Sequence, residues 1–222
     1  MLPFRHAIIS AAGFGSRLGM NSPKCLVQIG GYALIDYQLD LLQDIPDVRI
    51  VVGFKEEDVI NHVRQKRPDA VFVRNPQFHC TSNSHSVWLA SRHMKEPFLI
   101  LDGDLLIKKS DFQTIMITEQ SNKTWIGITS CKSEEPVYAT VNEKNQITNF
   151  SFTDATAWEW CGIALVPPNI IGSNQKYVFE ELKKILPTAA EKFTVYEIDT
   201  PRDYAIASDH ISNLGYSLGS IG

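Results

Sequence analysis

The chain has 222 residues, 44% of them hydrophobic and 21% charged, with a net charge of −4. That balance is ordinary for a globular chain able to bury its own core, and its acidic sum argues against a surface that coats nucleic-acid phosphates. Four widely spaced cysteines (Cys25, Cys80, Cys131 and Cys161) form no CxxC pair, which argues against structural zinc or a disulfide framework and for a reducing compartment. No run approaches the roughly 20 apolar residues of a membrane span. The apolar run Ala7–Ile9 is too short for a signal peptide. The expectation is a cytoplasmic protein with neither nucleic acid nor membrane as partner; a homo-oligomer is compatible with the sequence.

The first half alternates strand-like and helix-like segments. Ala7–Ser10 reads as a buried strand and runs into a glycine-rich loop. Ala33–Leu42 spaces Leu34, Ile35, Leu39 and Leu42 as a helix does. Val48–Gly53 is a β-branched strand, Glu56–Lys66 a polar helix with Val59, Ile60 and Val63 on one side, and Ala70–Val73 a third strand. Ser84–His93 reads as a helix and Pro97–Leu101 as a fourth buried strand. After about residue 120 the pattern changes. Thr124–Cys131, Val137–Val141, Ile147–Phe152 and Cys161–Val166 read as strands, with a hairpin turn at Glu143-Lys144-Asn145. Tyr177–Leu186 has helical spacing and stops at Pro187. Phe193–Ile198 reads as a late strand, and Pro201–Leu214 as a closing helix with Pro at its start. The predicted class is α/β: a Rossmann-like, mostly parallel, three-layer sheet with a small antiparallel part in the second half. No repeat or linker interrupts it, so one domain is expected over residues 1–222.

The loop Ala11-Ala12-Gly13-Phe14-Gly15-Ser16-Arg17 follows the first strand directly. Small residues let backbone approach a ligand, and successive N–H groups make an anion-binding nest. Spacing removes two nucleotide loops. A Walker loop ends in GK[ST], whereas Gly15 and Gly19 are followed by Ser16 and Met20. A dinucleotide fingerprint places glycine where Leu18 stands and an acid where Phe54-Lys55 stands, which argues against a NAD-dependent oxidoreductase. A plain connecting turn stays open. Arg17 and Pro23-Lys24 put two cations on the same excursion, one a planar fork and one a point charge, which suits a triphosphate.

Phe98-Leu99-Ile100-Leu101-Asp102-Gly103-Asp104 is an apolar strand ending in two acids. Ligands in such sheets sit beyond the carboxyl ends of strands, and carboxylates beside phosphates suggest Mg²⁺. Helix capping is the alternative. Glu197-Ile198-Asp199-Thr200-Pro201 places Asp199 at another strand end, where Asp199 or Thr200 could also cap the next helix. The stretch from Asn75 to Ala90 is dense in short amides and hydroxyls, including Thr81, Ser82, Asn83, Ser84 and Ser86. Such groups cap helices or read the edge of a base. In Trp158-Glu159-Trp160, two indoles and an acid could cage a quaternary ammonium or could pack in the core. The six histidines show no ligand spacing and are read as non-catalytic.

Ala7-Ile8-Ile9-Ser10-Ala11-Ala12-Gly13-Phe14-Gly15-Ser16-Arg17-Leu18-Gly19, followed by Pro23-Lys24-Cys25-Leu26, resembles the signature of the sugar-phosphate nucleotidyltransferase superfamily, and the resemblance extends over nearly the whole chain. The segment from Asn75 through Thr81-Ser82-Asn83 to Ser86-Val87-Trp88-Leu89-Ala90 resembles that of small cytidylyltransferases acting on phosphocholine, inositol phosphate or alkylphosphonates, with Ser82 where Asn is usual. The resemblance implies that the glycine loop wraps the triphosphate. Arg17 then holds the β- and γ-phosphates and Lys24 steadies the reacting α-phosphate, as the two catalytic residues. Asn75, Thr81, Ser82, Asn83 and Ser86 would serve the nucleotide. Asp104 and Asp199 would ligate Mg²⁺, with Asp102 as a neighbour that binds through water or positions a sugar. Residues 1–120 would form the nucleotide half. Residues 121–222 would form the acceptor half, with Trp158, Glu159 and Trp160 at the acceptor. Many members of the family that it resembles carry a Lys for the acceptor phosphate where this chain has Thr140. The expected reaction is Mg²⁺-dependent transfer of CMP from CTP to a small phospho- or phosphono-acceptor. Sugar-1-phosphate transfer from UTP, dTTP or GTP is the alternative, and a silent NTP-binding regulatory module is the alternative of another class.

Overall fold

The computed structural model describes residues 3–15, 18–19, 21–118, 123–173 and 177–217. A nine-stranded sheet runs through these residues in the order β5-β4-β1-β6-β11-β8-β12-β10-β9. Its first part is parallel: β5 (Val71–Arg74), β4 (Asp47–Val52), β1 (His6–Ser10) and β6 (Phe98–Asp102). The long β11 (Trp158–Val166) then pairs antiparallel with both β6 and β8 (Trp125–Ser130). Beyond it lie β12 (Thr188–Lys192), parallel to β8, and the antiparallel hairpin of β9 (Tyr138–Val141) and β10 (Gln146–Ser151).

Alternation along the strands builds the layers, because successive Cβ atoms point to opposite faces. Ala7 and Ile9 join one buried cluster, with Ile35 and Leu39 of α1 (Leu34–Leu41), Val59, Ile60 and Val63 of α2 (Glu56–Lys66), and Phe112 and Ile115 of α4 (Lys109–Ile117). Ile8 joins the opposite cluster, with Val87 and Ala90 of α3 (Asn83–Ser91) and Val178, Phe179 and Leu182 of α5 (Val178–Leu182). Helices therefore cover both faces, as the apolar, β-branched strands require. A third cluster seats α6 (Pro201–His210), through Ala207, against Leu34 and Tyr37 of α1 and Leu106 and Ile198. Among the described residues no helix is long and apolar enough to cross a membrane.

Three parts depart from the sequence reading. Residues 105–117, to which it assigns no element, form β7 (Leu105–Ile107) and α4. The α4 helix buries only Phe112 and Ile115 and leaves Ile117 86% exposed, so its apolar pattern is weak. The strand expected at Phe193–Ile198 is the shorter β13 (Val195–Glu197), and β12, to which the sequence reading assigns no element, precedes it. The β12 sequence, Thr-Ala-Ala-Glu-Lys, has low strand propensity; it is a strand because β8 and β10 flank it. Finally, β13 leaves the main sheet and pairs antiparallel with β7, setting Glu197 opposite Leu105.

Two glycines allow the close approaches that shape the site. A Cβ at Gly103 would fall 2.6 Å from the Ser10 carbonyl oxygen and 2.9 Å from Ala11 Cα. The turn after β6 can therefore lie directly on the start of the glycine loop, with Gly103 N–H donating to Ser10 O at 3.0 Å. Gly162, at φ +78°, sits where the β11–β8 register shifts, and a Cβ there would press on Leu105 and come within 3.1 Å of Asp102 Oδ2.

Candidate active site

The carboxyl ends of β1 and β6 open into a cavity of about 800 Å³. Its floor is carboxylate-rich. Asp104 follows β6, while Glu197 and Asp199 arrive on β13 and the turn after it. The β7–β13 pairing brings them together, reinforced by Ile198 N–H donating to Asp104 O at 3.1 Å. One oxygen from each of Asp104, Glu197 and Asp199 lies within 4.8 Å of the others. Asp104 Oδ1 is buried and has no hydrogen-bond partner among the described residues.

Lys24 closes this cluster. Its ammonium donates to Asp104 Oδ2 and to Asp199 Oδ1. Burial pulls the Lys24 pKa down, but the two carboxylates outweigh it and hold the pKa above its ordinary value. The acids respond oppositely. Burial first, then the charge of Asp104, pushes Asp102 up to about 7. Glu197 is open to the cavity yet closely walled by protein, and burial, then Asp104 and Asp199, raise its pKa. The site as a whole demands positive charge.

Capping competes for none of these acids. The N-cap of α4 is Lys108, so neither Asp102 nor Asp104 caps the next helix. Thr200 caps α6: its hydroxyl accepts from Asp203 N–H at 3.2 Å while Asp203 accepts from Thr200 N–H at 2.8 Å. That capping box leaves the Asp199 carboxylate turned to Lys24.

Ala12 and Gly13 of the glycine loop line the cavity beside Lys24. Ala11 spends its N–H on Val51 O at 2.9 Å. Phe14 is 53% exposed and packs edge-on against Phe54, their centroids 4.4 Å apart, and Gly15 lies against Lys24. Ser16 and Arg17 lie outside the described residues.

The amide and hydroxyl segment forms an adjoining wall with Thr81, Ser82, Asn83 and Ser86. Asn75 does not line this cavity. It is 1% exposed and braces the wall from behind, donating through Nδ2 to Thr81 Oγ1 and Ser86 Oγ, both at 3.0 Å. Asn83 bridges two parts of the site: its amide donates to Asp102 Oδ1 and accepts from Val178 N–H, each at 3.3 Å. No histidine lines the cavity among the described residues.

The opposite end differs from the sequence expectation. Trp158, Glu159 and Trp160 do not form an ammonium cage. Trp158 packs on the core and is not part of the cavity wall, and Lys192 already lies over its ring, 4.4 Å from the centroid. Glu159 is 2% exposed, and its carboxylate is engaged by Lys132 N–H, Ser133 N–H and the Ser133 hydroxyl. Glu159 and Trp160 do line the cavity. The aromatic lining comes instead from Phe152, Tyr177 and Phe179: Tyr177 stacks on Phe179 at 5.6 Å, and Phe152 meets Phe179 edge-on at 5.3 Å. Glu134 and Glu135 stand in the same lining. Phe152 and Phe179 come from separate expected elements, and only the fold brings them together. Glu197 is another residue that sequence reasoning passes over, as is Lys132; for Glu197 a signal existed. Its signal was the i, i+2 spacing to Asp199 in an extended stretch, which puts both side chains on one face.

Residues 7–156 match the family described as the MobA-like NTP transferase domain. The chain belongs to that family. As a family member it is 33% identical, over 112 residues, to the choline-phosphate cytidylyltransferase of Streptococcus pneumoniae (strain ATCC BAA-255 / R6), an alignment covering 48% of each chain. It is 25% identical over 148 residues to the CTP:phosphoglutamine cytidylyltransferase of Campylobacter jejuni, covering 60% of this chain and 58% of that one. The chain thus spans about half the length of these curated relatives. Its fold is shared with the inositol-1-phosphate CTP transferase from T. maritima, at a TM-score of 0.78 and 19% identity over 98% of both chains.

Proposed function

We propose that this MobA-like NTP transferase carries CMP from CTP to a small acceptor bearing a phosphate or phosphonate group, releasing pyrophosphate. The observation that carries the reading is the meeting of Lys24 with Asp104, Glu197 and Asp199 at the mouth of the glycine loop. An acceptor oxygen attacks the α-phosphorus of CTP and forms the new P–O bond. The bond from that phosphorus to the α,β-bridging oxygen breaks, and pyrophosphate leaves with its electron pair. A phosphate monoester is largely dianionic at neutral pH, its second pKa being about 6, so it needs no general base.

Catalysis in this reading is positioning and charge neutralisation. Ala12 and Gly13 admit the triphosphate against backbone, and Lys24 offsets charge growing at the α-phosphate. Thr81, Ser82 and Asn83 face the base. Asp104, Glu197 and Asp199 would hold Mg²⁺; the carboxylate-only donor set suits a hard cation, and the buried, unpartnered Asp104 Oδ1 fits a ligand role. When bound, Mg²⁺ supplies positive charge to phosphate oxygens. The choice of CTP rests on the resemblance of residues 75–90 and on the two cytidylyltransferase relatives. For the acceptor we favour an ammonium-bearing phosphate monoester such as phosphocholine, because the exposed rings of Phe152 and Tyr177 and the carboxylate of Glu135 line the cavity, whereas Glu134 is paired with Arg202 and Lys183 lies over Phe179.

The test is pyrophosphate release from each of four NTPs with Mg²⁺ over a panel of phosphocholine, inositol phosphate, 2-aminoethylphosphonate and sugar 1-phosphates. CTP with an ammonium-bearing acceptor is the expected best pair. Turnover only with UTP, dTTP or GTP and a sugar phosphate would replace the substrate assignment. Tight Mg-CTP binding without turnover on any acceptor would make the chain a binding module.

A further inference from the structure

We infer that Lys132 is the cation that receives the acceptor's phosphate group, on a loop that the buried carboxylate of Glu159 holds in place. The inference deepens the transferase reading and rests on it for the identity of the acceptor. Thr140, the position at which the sequence resemblance implies an acceptor lysine, is exposed on β9 and does not line the cavity. Among the described residues the cavity wall contains two cations, Lys24 and Lys132. Lys24 is bound to Asp104 and Asp199 beside the glycine loop. Lys132 lines the same cavity from the loop just after β8.

The Lys132 ammonium rests directly on two neutral groups, and the charge of Glu159 also acts on it. Its ammonium donates to the Val195 carbonyl and lies 4.3 Å from the centroid of the Tyr196 ring. Val195 and Tyr196 immediately precede Glu197, so β13 seats the ammonium and also carries one acid of the cluster, Glu197. An ammonium with a carbonyl and a ring face for partners gains from meeting a dianion. A lysine's single flexible charge can swing to a phosphate without the fixed geometry that an arginine fork demands.

Glu159 acts as the positioning residue. It is 2% exposed and accepts from Lys132 N–H at 3.2 Å, Ser133 N–H at 3.3 Å and the Ser133 hydroxyl at 2.9 Å. The carboxylate thereby pins the backbone at the root of the Lys132 side chain. Burial also lowers the Lys132 pKa, against the opposing charge of Glu159. The cavity thus holds two lysines, Lys24 for the nucleotide and Lys132 for the incoming phosphate.

Two measurements test this. First, lysines are reductively methylated with ¹³C, and the Lys132 signal is assigned by its loss in Lys132→Arg. Phosphocholine, methylphosphonate, inorganic phosphate and choline are then titrated. The phosphate and phosphonate probes are expected to move the Lys132 signal, and choline to leave it in place. A Lys132 signal that none of the three anions moves overturns the inference whether or not the chain turns over. Movement without turnover on any NTP would retain Lys132 as an anion site and sink the transferase reading. Second, with an acceptor that turns over, Lys132→Met should raise the acceptor KM at least tenfold and leave the CTP KM within twofold. Lys132→Arg should recover part of the loss. Glu159→Gln should raise the acceptor KM by a smaller factor, again without moving the CTP KM. An unchanged acceptor KM in Lys132→Met overturns the assignment.

Discussion

Lys24→Met separates two consequences of one ion-paired cluster. Three carboxylates place oxygens within 4.8 Å of one another. At an effective dielectric near 20, two unit charges at that separation repel by about 3.5 kcal/mol. Lys24 offsets this by bonding Asp104 and Asp199, with side chains 13%, 18% and 21% exposed respectively. Water reaches all three, so the stability lost on its removal is well below the value for a sealed ion pair, on the order of 1–2 kcal/mol. Turnover should fall much further. Loss of one preorganised charge-stabilising donor costs about 10²–10³ in kcat, and the CTP KM should change by less than about tenfold. Divalent binding should move the other way. In nucleotide-free protein Lys24→Met leaves the Asp104 and Asp199 oxygens without their ammonium, so Mn²⁺ should bind more tightly. Pyrophosphate-release kinetics and Mn²⁺ titration by electron paramagnetic resonance read the two effects separately. A defect confined to CTP affinity with kcat intact refutes the transition-state role of Lys24. Weaker Mn²⁺ binding in the variant refutes the view that lysine and metal share the carboxylates.

Asn75→Ala removes the brace behind Thr81 and Ser86. It should cost about 2 kcal/mol of stability and raise the CTP KM more than the acceptor KM; unchanged melting temperature and CTP KM would show that the wall stands without it. Gly103→Ala would drive a Cβ to 2.6 Å from backbone oxygen, so the β6–β7 turn must shift, at about 1–3 kcal/mol. Turnover is expected to fall with it, and wild-type kinetics would show that the contact is dispensable. Asp36 gives the pH dependence. Burial raises its carboxyl pKa, but His62 at 2.7 Å and Lys66 at 3.2 Å outweigh this and hold it below the usual value. Its stabilisation is therefore present above the unfolded carboxyl value of about 3.9 and is lost as pH falls through the lower folded value. Asp36→Asn should be about 1–2 kcal/mol less stable near pH 6, and the gap should close toward about pH 2 in chemical denaturation. A gap that persists in acid would assign the loss to the amide itself.

The sequence alone determined the first half of this molecule closely. Strands β1, β4, β5 and β6 and helices α1, α2 and α3 lie within a residue or two of where periodicity puts them, because each is set by local propensity and by one apolar face. It also marked Lys24, Asp104 and Asp199, whose spacing after strands is a local signal. Tertiary structure alone decided what depends on pairing. The β12 strand exists because β8 and β10 hold it, and β13 turns from the sheet to β7. That second pairing carries Glu197 and Asp199 across to Asp104, and Tyr196 under Lys132. Tertiary structure also decided what Trp158 and Glu159 contact. Their residue types suit a cage, but Lys192 covers the indole and the loop amides take the carboxylate. A residue's chemistry is written in its type and neighbours in sequence. Whether that chemistry faces a cavity depends on which distant strand lies beside it, and hydrogen-bonding edges do not differ enough from strand to strand to announce their partners.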